Sequence, residues 1–466
     1  FGLVALALVV VGFAQMVVDL GLGPAIVQHE RLTDRHVRVS FTASTLIGLS
    51  VAVALLLAAP LFAPLLRSPS VPGVLRWLSL LFVFSGLGAT ARALLGRRLD
   101  FRGVFFTNLI SYGVGYALVA VTLALLGFGV WSLVFGALVQ ALLDAAVSIG
   151  LVRHPLRPLL AGREIRDLLG FGLGVIANRS VVYASMNGDN FVVGSWLGAH
   201  FLGLYSRAFQ LMMLPLMHLG SITWSILFAA YSQLRADRDR ARRAYLKGVQ
   251  LTALVIAPLM AGMAVAGPHL IVGLYGPQWA AATLPFQILC GVGLFRGVYE
   301  MTGALTHAFG KVYAEFRRQA LYAVLVVAAA LVGSRWGIAG VAVGMAGAVT
   351  FMYFAMAQLG VRITGCRWRE FFAAQAPGVA LALVVAATAL GVRFALEQQN
   401  WSSGAILAAI ITSCTAAVPV ALYLLPERVR PVDLFRSLDD MIVRLPRVLR
   451  LPIRRITRLS PEHAPS

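Results

Sequence analysis

Arg179, Tyr183 and Asn187 recur at four-residue spacing in an otherwise apolar run, and that spacing puts all three on one face of a helix. A guanidinium, a phenol and a carboxamide on one stripe suit an oxygen-rich anion, because the planar guanidinium grips phosphate oxygens as a fork. Counting inward from Leu168 at about 1.5 Å per residue sets Arg179 about 16 Å along its helix, near the middle of a hydrocarbon core about 30 Å thick. A structural arginine paired to a carbonyl or an acid on a neighbouring helix fits the same position, and the sequence leaves both readings open.

A second constellation lies in "LCGVGLFRGVYEMTGALTHAFG", where Arg296 and Glu300 stand one turn apart and His307 follows at i+7 from Glu300. At i,i+4 the first two can pair with each other. Alternatively they form a proton-responsive latch with His307, which titrates near neutral pH. Glu300 is the most deeply placed acid and so the candidate for ion coupling. Asp144 and Asp19 fall nearer the ends of their runs, as gate partners or in ordinary helix-end interactions. Asp189, with Asn187 and Asn190, marks the far end of the Arg179 stripe. Arg76, Arg92 and Arg207 lie near run ends and are expected to snorkel.

Other chemistry has no signature. The chain lacks HExxH, CxxC, a Walker A loop and G-x-S-x-G, so neither a metal, a nucleotide nor a nucleophile is indicated and no cofactor is expected. Cys290, Cys366 and Cys414 stand far apart and read as small packing residues.

The elements that position these groups follow from composition. The 466 residues are 59% hydrophobic and 12% charged, with mean hydropathy +0.83. Soluble domains run near 45–50% and about 25%. The reading is an all-α polytopic membrane protein with thirteen apolar segments, the first near Phe1–Val18 and the last near Ser403–Leu425. The net charge of +20 does not imply nucleic acid, because the basic residues concentrate in alternate short loops. The loops "HERLTDRHVR", "GRRLDFRG", "RHPLRPLLAGREIRD", "RADRDRARRAYLK", "GKVYAEFRRQ" and "VRITGCRWRE" carry 22 of the 39 Lys and Arg residues, and the tail after Leu425 carries 9 more. The intervening loops hold Arg67, Arg335 and Arg393. By the positive-inside rule the tail is cytoplasmic and Phe1 lies outside. A start outside leads us to expect one earlier span, fourteen in all. A signal-peptide core at Phe1–Met16 is the competing reading, but it lacks a small-residue cleavage site.

The expected organisation is an N-terminal bundle over 1–152 with five visible spans, a Pro-rich basic connector over 153–167, and a six-span bundle over 168–360. Two additional spans follow over 361–425, then a basic tail over 426–466. In the tail, Val432, Phe435, Leu438, Ile442 and Leu445 outline an amphipathic helix, and the arginines beyond Pro446 suit anionic inner-leaflet lipid. Gly113, Gly115, Gly340, Gly344 and Gly347 are expected to permit close helix packing.

Several stretches carry a family resemblance. "DLGLGPAIVQHERLT", "ALLGRRLDFRG", "NGDNFVVGSWLGAHFLGLYSRA" and the run from "SQLRADRDRARRAYLKG" to "IVGLYGPQWAAATLPFQIL" resemble, in order and spacing, segments of the Wzx-like bacterial oligosaccharide flippases of the MATE/MOP exporter superfamily. The resemblance extends to about Leu425. It implies two six-helix bundles plus two C-terminal helices, and translocation of a polyprenyl-diphosphate-linked oligosaccharide across the bacterial inner membrane by alternating access. A lipid-linked oligosaccharide is the implied partner, with polysaccharide polymerase machinery nearby. Two alternatives stand beside it. A multidrug or small-cation antiporter of the same superfamily would favour buried acids without buried arginines. A membrane glycosyl-transferring enzyme would need a larger outer loop than this chain has.

Overall fold

A computed structural model describes residues 2–18, 26, 32–65, 68–98, 100–162, 181–234, 237–399 and 401–424. The described residues are mostly helical, with no strand among them. Asp19, Arg179, the connector beyond residue 162 and the tail from residue 425 lie outside the described residues. Among the described residues, eight helical stretches are long and apolar enough to cross a membrane, or nine when Pro277–Gly291 and Gly293–Ala308, bent by 48°, count as one. This is a multi-pass membrane protein.

The chain divides into two compact units. Unit 1 holds residues 1–210 and 316–348, and unit 2 the remainder.

Unit 1 begins with α1 (Gly2–Val18), α2 (Asp34–Ala58), α3 (Val71–Leu78), α4 (Leu80–Arg97) and α5 (Phe101–Ile110). A π-helical stretch, Ser111–Ala120, leads through α6 (Val121–Leu125) to α7 (Val130–Val152). Polar loop residues set the helix starts: the Thr33 hydroxyl accepts from the His36 N–H at 3.5 Å, and the Asp100 carboxylate from that of Gly103 at 2.8 Å. Helix α2 crosses α4 backbone to backbone, since a Cβ on Gly86 would lie 2.5 Å from the Ser44 carbonyl oxygen. Next come α8 (181–192), a short π-helical stretch at Val193–Leu197, and α9 (Ala199–Gln233), of which the residues up to Gln210 belong to unit 1.

The apolar stretch Val312–Thr364, 53 residues long, is two helices, α10 (Val312–Gly333) and α11 (Gly337–Thr364), divided by a turn at Ser334–Trp336. Close approach of Gly333 to Gly340, and of Gly344 to Ala329, makes them an antiparallel hairpin. Gly115, Gly340 and Gly344 thus sit where a side chain would collide, whereas Gly113 and Gly347 face open space.

The start of the connector is strapped to α2. Arg38 donates to the carbonyls of Arg157 at 3.0 Å and Pro158 at 3.3 Å, and the Leu159 N–H donates to Thr42 Oγ1 at 2.9 Å. The His154 ring packs 5.4 Å from that of Phe41.

In unit 2, α12 (Arg238–Tyr275) is capped by Asp237, which accepts from the Arg240 N–H at 2.9 Å. The helices α13 (Thr283–Gly291), α14 (Gly293–Ala308) and α15 (Trp368–Glu397) pack on α12, and α16 (Ser403–Leu424) packs on both α12 and α15. Buried aromatic rings form the core, including Tyr245, Tyr353 and Phe371, with Tyr245 Oη 3.2 Å from Thr302 Oγ1. The thiols of Cys290 and Cys366 are free and buried, and Cys414 is free and half-buried.

Candidate functional site

Helix α8 builds one wall of a cavity inside unit 1. Tyr183, Asn187 and Asn190 recur on it at i, i+4 and i+7 and share a face. Tyr183 is fixed against α1: its hydroxyl donates to the Val9 carbonyl at 3.3 Å, and its ring meets that of Phe13 edge-on at 4.8 Å. Gly12 makes room for it, since a Cβ there would fall 1.7 Å from the Tyr183 hydroxyl. Asn187 donates to the Tyr183 carbonyl at 3.3 Å. On its other side α8 is held by α10, whose Gln319 amide donates to Ser185 Oγ at 2.6 Å.

The facing wall is the start of α9, which contributes Ser206, Arg207 and Gln210. The Arg207 guanidinium donates to Gln210 Oε1 at 3.0 Å. Arg207 lies eight residues into α9, about 12 Å from its start at the α-helical rise. Tyr116, from the π-helical stretch, adds a ring that stacks on Tyr112 with centroids 5.3 Å apart. The volume is about 340 Å³, and Val4, Leu8, Leu78 and Leu133 add apolar lining. Among the described residues Arg207 is the one charged side chain in the lining, and no acid joins it. Asp189 is fully buried beside it, where Tyr205 Oη and the Asn190 N–H donate to its two carboxylate oxygens at 2.7 and 2.8 Å.

Tyr183 and Asn187 therefore come together as their spacing suggests, while Arg179 lies outside the described residues. Arg207 is the residue that sequence reasoning missed. Its signal was local: Ser206, Arg207 and Gln210 occupy one helical face.

The other candidates form separate pairs. In unit 1 Asp144 of α7 pairs with Arg92 of α4, which also donates to the Ser85 carbonyl at 3.1 Å, while Gln15 donates to Ser85 Oγ at 2.9 Å. Arg92 is thus an interhelical partner. In unit 2 Arg296, 2% exposed, donates through Nε to Glu300 at 3.1 Å and lies over the Tyr299 ring. His307 stands 3.5 Å from Glu315 Oε2, and Thr306 donates to that same oxygen. The structure gives His307 a different carboxylate from Glu300. No group of three His, Cys, Asp or Glu residues suited to a metal occurs among the described residues.

Unit 2 also carries an apolar groove of about 580 Å³ between α12, α15 and α16, lined by Leu254, Leu259, Leu381, Leu407 and Ile411 among others. No charged side chain lines it among the described residues.

Comparison with known proteins gives the arrangement its context. The family described as polysaccharide biosynthesis protein matches residues 1–284. The succinoglycan biosynthesis transport protein ExoT of Rhizobium meliloti (strain 1021) is 34% identical over 301 residues, 64% of this chain and 60% of ExoT. The lipopolysaccharide biosynthesis protein WzxC of Escherichia coli (strain K12) is 26% identical over 351 residues, 74% of this chain and 70% of WzxC. The chain thus spans about three fifths of the length of ExoT. Among solved structures, the lipid II flippase MurJ in its inward closed conformation aligns with TM-score 0.74 at 13% identity, over 90% of this chain and 91% of MurJ, so the two share a fold. With the match taking in more than half of its residues, the chain belongs to the polysaccharide biosynthesis protein family.

Proposed function

We propose that this chain is a flippase of the bacterial inner membrane, moving a polyprenyl-diphosphate-linked oligosaccharide from the cytoplasmic to the outer leaflet for surface-polysaccharide assembly. The observation that carries the reading is the unit 1 cavity: a cation, amides and hydroxyls gathered among apolar helices. Polar groups there cost free energy unless they meet partners or a wet, ligand-bearing space. A glycan headgroup needs such a space to cross lipid. The apolar groove of unit 2 complements it, since a prenyl chain is a ligand that an uncharged, aliphatic wall can hold.

No covalent step is needed, and the reading is of a transporter and not an enzyme. Alternating access of the two expected bundles, 1–152 and 168–360, would carry the headgroup. The inside-negative potential favours outward movement of an anion by about 2.3 kcal/mol per charge per 100 mV if the whole field is crossed. Ion coupling, where it operates, falls to Glu300, whose side chain is 32% exposed and so reachable beside Arg296, with Asp144 and His307 as further candidates. The distribution of basic loops supports a cytoplasmic tail, whose arginines suit anionic lipid; polymerase machinery nearby is what the family resemblance implies.

The test is translocation in vivo. A strain lacking its own exporter, complemented with full-length Arg207→Ala, Arg179→Ala or Arg296→Ala variants, should accumulate lipid-linked glycan on the cytoplasmic leaflet. Normal surface polysaccharide from all three would remove the assignment.

A further inference from the structure

We infer that His307 and Glu315 form a proton-binding site that fastens the turn between α14 and α10, the last turn before the chain passes from unit 2 into unit 1. Nothing in this site depends on what the chain transports.

A short stretch of sequence builds it. Gly303, Thr306 and His307 recur at i, i+3 and i+4 and so share one face of α14. Beyond the turn at 309–311, Glu315 in the first turn of α10 meets that face. Its carboxylate accepts from the Thr306 hydroxyl, and Oε2 lies 3.5 Å from His307 Nε2. Gly303 leaves room for the other oxygen, since a Cβ there would fall 3.3 Å from Oε1. The Trp224 ring of α9, stacked on Phe228, meets the imidazole edge-on with centroids 5.8 Å apart.

The end of α14 is the fixed partner. Leu305, Thr306 and Ala308 are fully buried. Past them Gly310 takes the left-handed conformation at φ 68°, and the Lys311 N–H closes back on the Thr306 carbonyl at 2.8 Å. Glu315 then ties the start of α10 to this anchor, and unit 1 resumes at the next residue, Phe316.

Charge separates this pair from the other acids. Asp144, Glu300, Glu370 and Glu397 each pair with an arginine, which keeps its charge at any pH a cell meets. Among the described residues none but His307 ion-pairs with Glu315. The charged groups on the neighbouring elements are Arg243 and Lys247 of α12, Arg362 of α11 and Lys311 of the turn itself, with Arg317 and Arg318 following in unit 1. The unit 2 part of α9 adds the titratable His218 and Tyr231, and α13 adds no charge. Histidine is the side chain that gains its charge between about pH 8 and pH 5. An imidazolium attracts the carboxylate, whereas the neutral ring offers it a hydrogen bond at most. By linkage the fastened turn takes up a proton, so it is held more tightly as pH falls through that range and more loosely as pH rises.

The experiment is hydrogen exchange of the full chain in lipid nanodiscs at pH 6 and pH 8, corrected for the intrinsic rate at each pH. Protection over residues 310–319 should be about threefold greater at pH 6, in keeping with a half-exposed ion pair. His307→Gln and Glu315→Gln should each show the looser level at both pH values, and His307→Arg the tighter level at both. Equal wild-type protection at the two pH values would overturn the inference, as would a pH response that persists in His307→Gln or a loose segment in His307→Arg at pH 8. The wild-type comparison needs no variant, so it decides the matter even where a variant fails to fold.

Discussion

Arg92 on α4 and Asp144 on α7 form an ion pair within unit 1, and the same guanidinium reaches the Ser85 carbonyl at 3.1 Å. One positive and one negative side chain thus satisfy each other between two helices of an apolar layer. Removing one partner strands the other charge where its hydration is poor. Arg92→Ala should therefore lower stability by about 1–2 kcal/mol, read as a lower melting temperature in detergent. The swapped pair, Arg92→Asp with Asp144→Arg, should recover part of the loss. A swap no better than the single variant would show that the pairing itself is not what matters.

The α10–α11 hairpin makes a sharper structural prediction. A Cβ on Gly344 would stand 2.6 Å from the Ala329 carbonyl oxygen, whereas one on Gly347 of the same helix meets nothing within 4 Å. Gly344→Ala should force the helices apart at a cost of about 1–3 kcal/mol. Gly347→Ala should be neutral or stabilising by up to about 1 kcal/mol, as in any helix interior. Equal thermal shifts for the two variants would contradict the packing.

A pH dependence is expected of the connector. His154 lies outside the spans, and burial lowers its pKa below the usual 6.5, outweighing the opposing hydrogen bond to the Pro155 carbonyl. Its docked state binds a proton less readily than its released state. Docking is therefore fully favoured above pH 6.5 and weakens as pH falls through that value towards the docked-state pKa. Hydrogen exchange over residues 153–161 should be slow at pH 7.5 and faster at pH 5. A His154→Phe chain should keep its protection at both.

The groove of unit 2 is open to a steric test. Ile411 is exposed and lines it, so Ile411→Trp should fill space without disturbing the core. Binding of a prenyl diphosphate to the purified chain should fall about tenfold, the equivalent of the apolar contact of roughly two methylene groups, with the melting temperature unchanged. Undiminished binding would place the prenyl chain elsewhere.

Local rules carried much of this architecture. Thr33, Asp100 and Asp237 stand at loop ends and cap the helices that follow, as their side-chain chemistry dictates. The pairs Tyr183–Asn187 and Arg296–Glu300 were legible because four-residue spacing is a geometric statement about a helix. The contacts that periodicity could not supply join distant segments. Arg92 and Asp144 are 52 residues apart in sequence, and nothing within either run names the other. The place of Arg207 in the cavity was not legible within its own run, because the opposing wall is α8, which precedes α9. His307 similarly found Glu315 across a turn and not the acid on its own helix face.

The π-helical stretch at Ser111–Ala120 has a consequence for how such a chain diversifies. A helix wound with extra residues per turn can lose one and relax to the α form, while the helices on either side keep their registers with the neighbours. Deleting a single residue there would rotate Tyr116 away from the space it lines and offer a different side chain in its place. Change of one residue in length, and not of the polar walls, thus becomes a route by which the lining of this cavity can be altered.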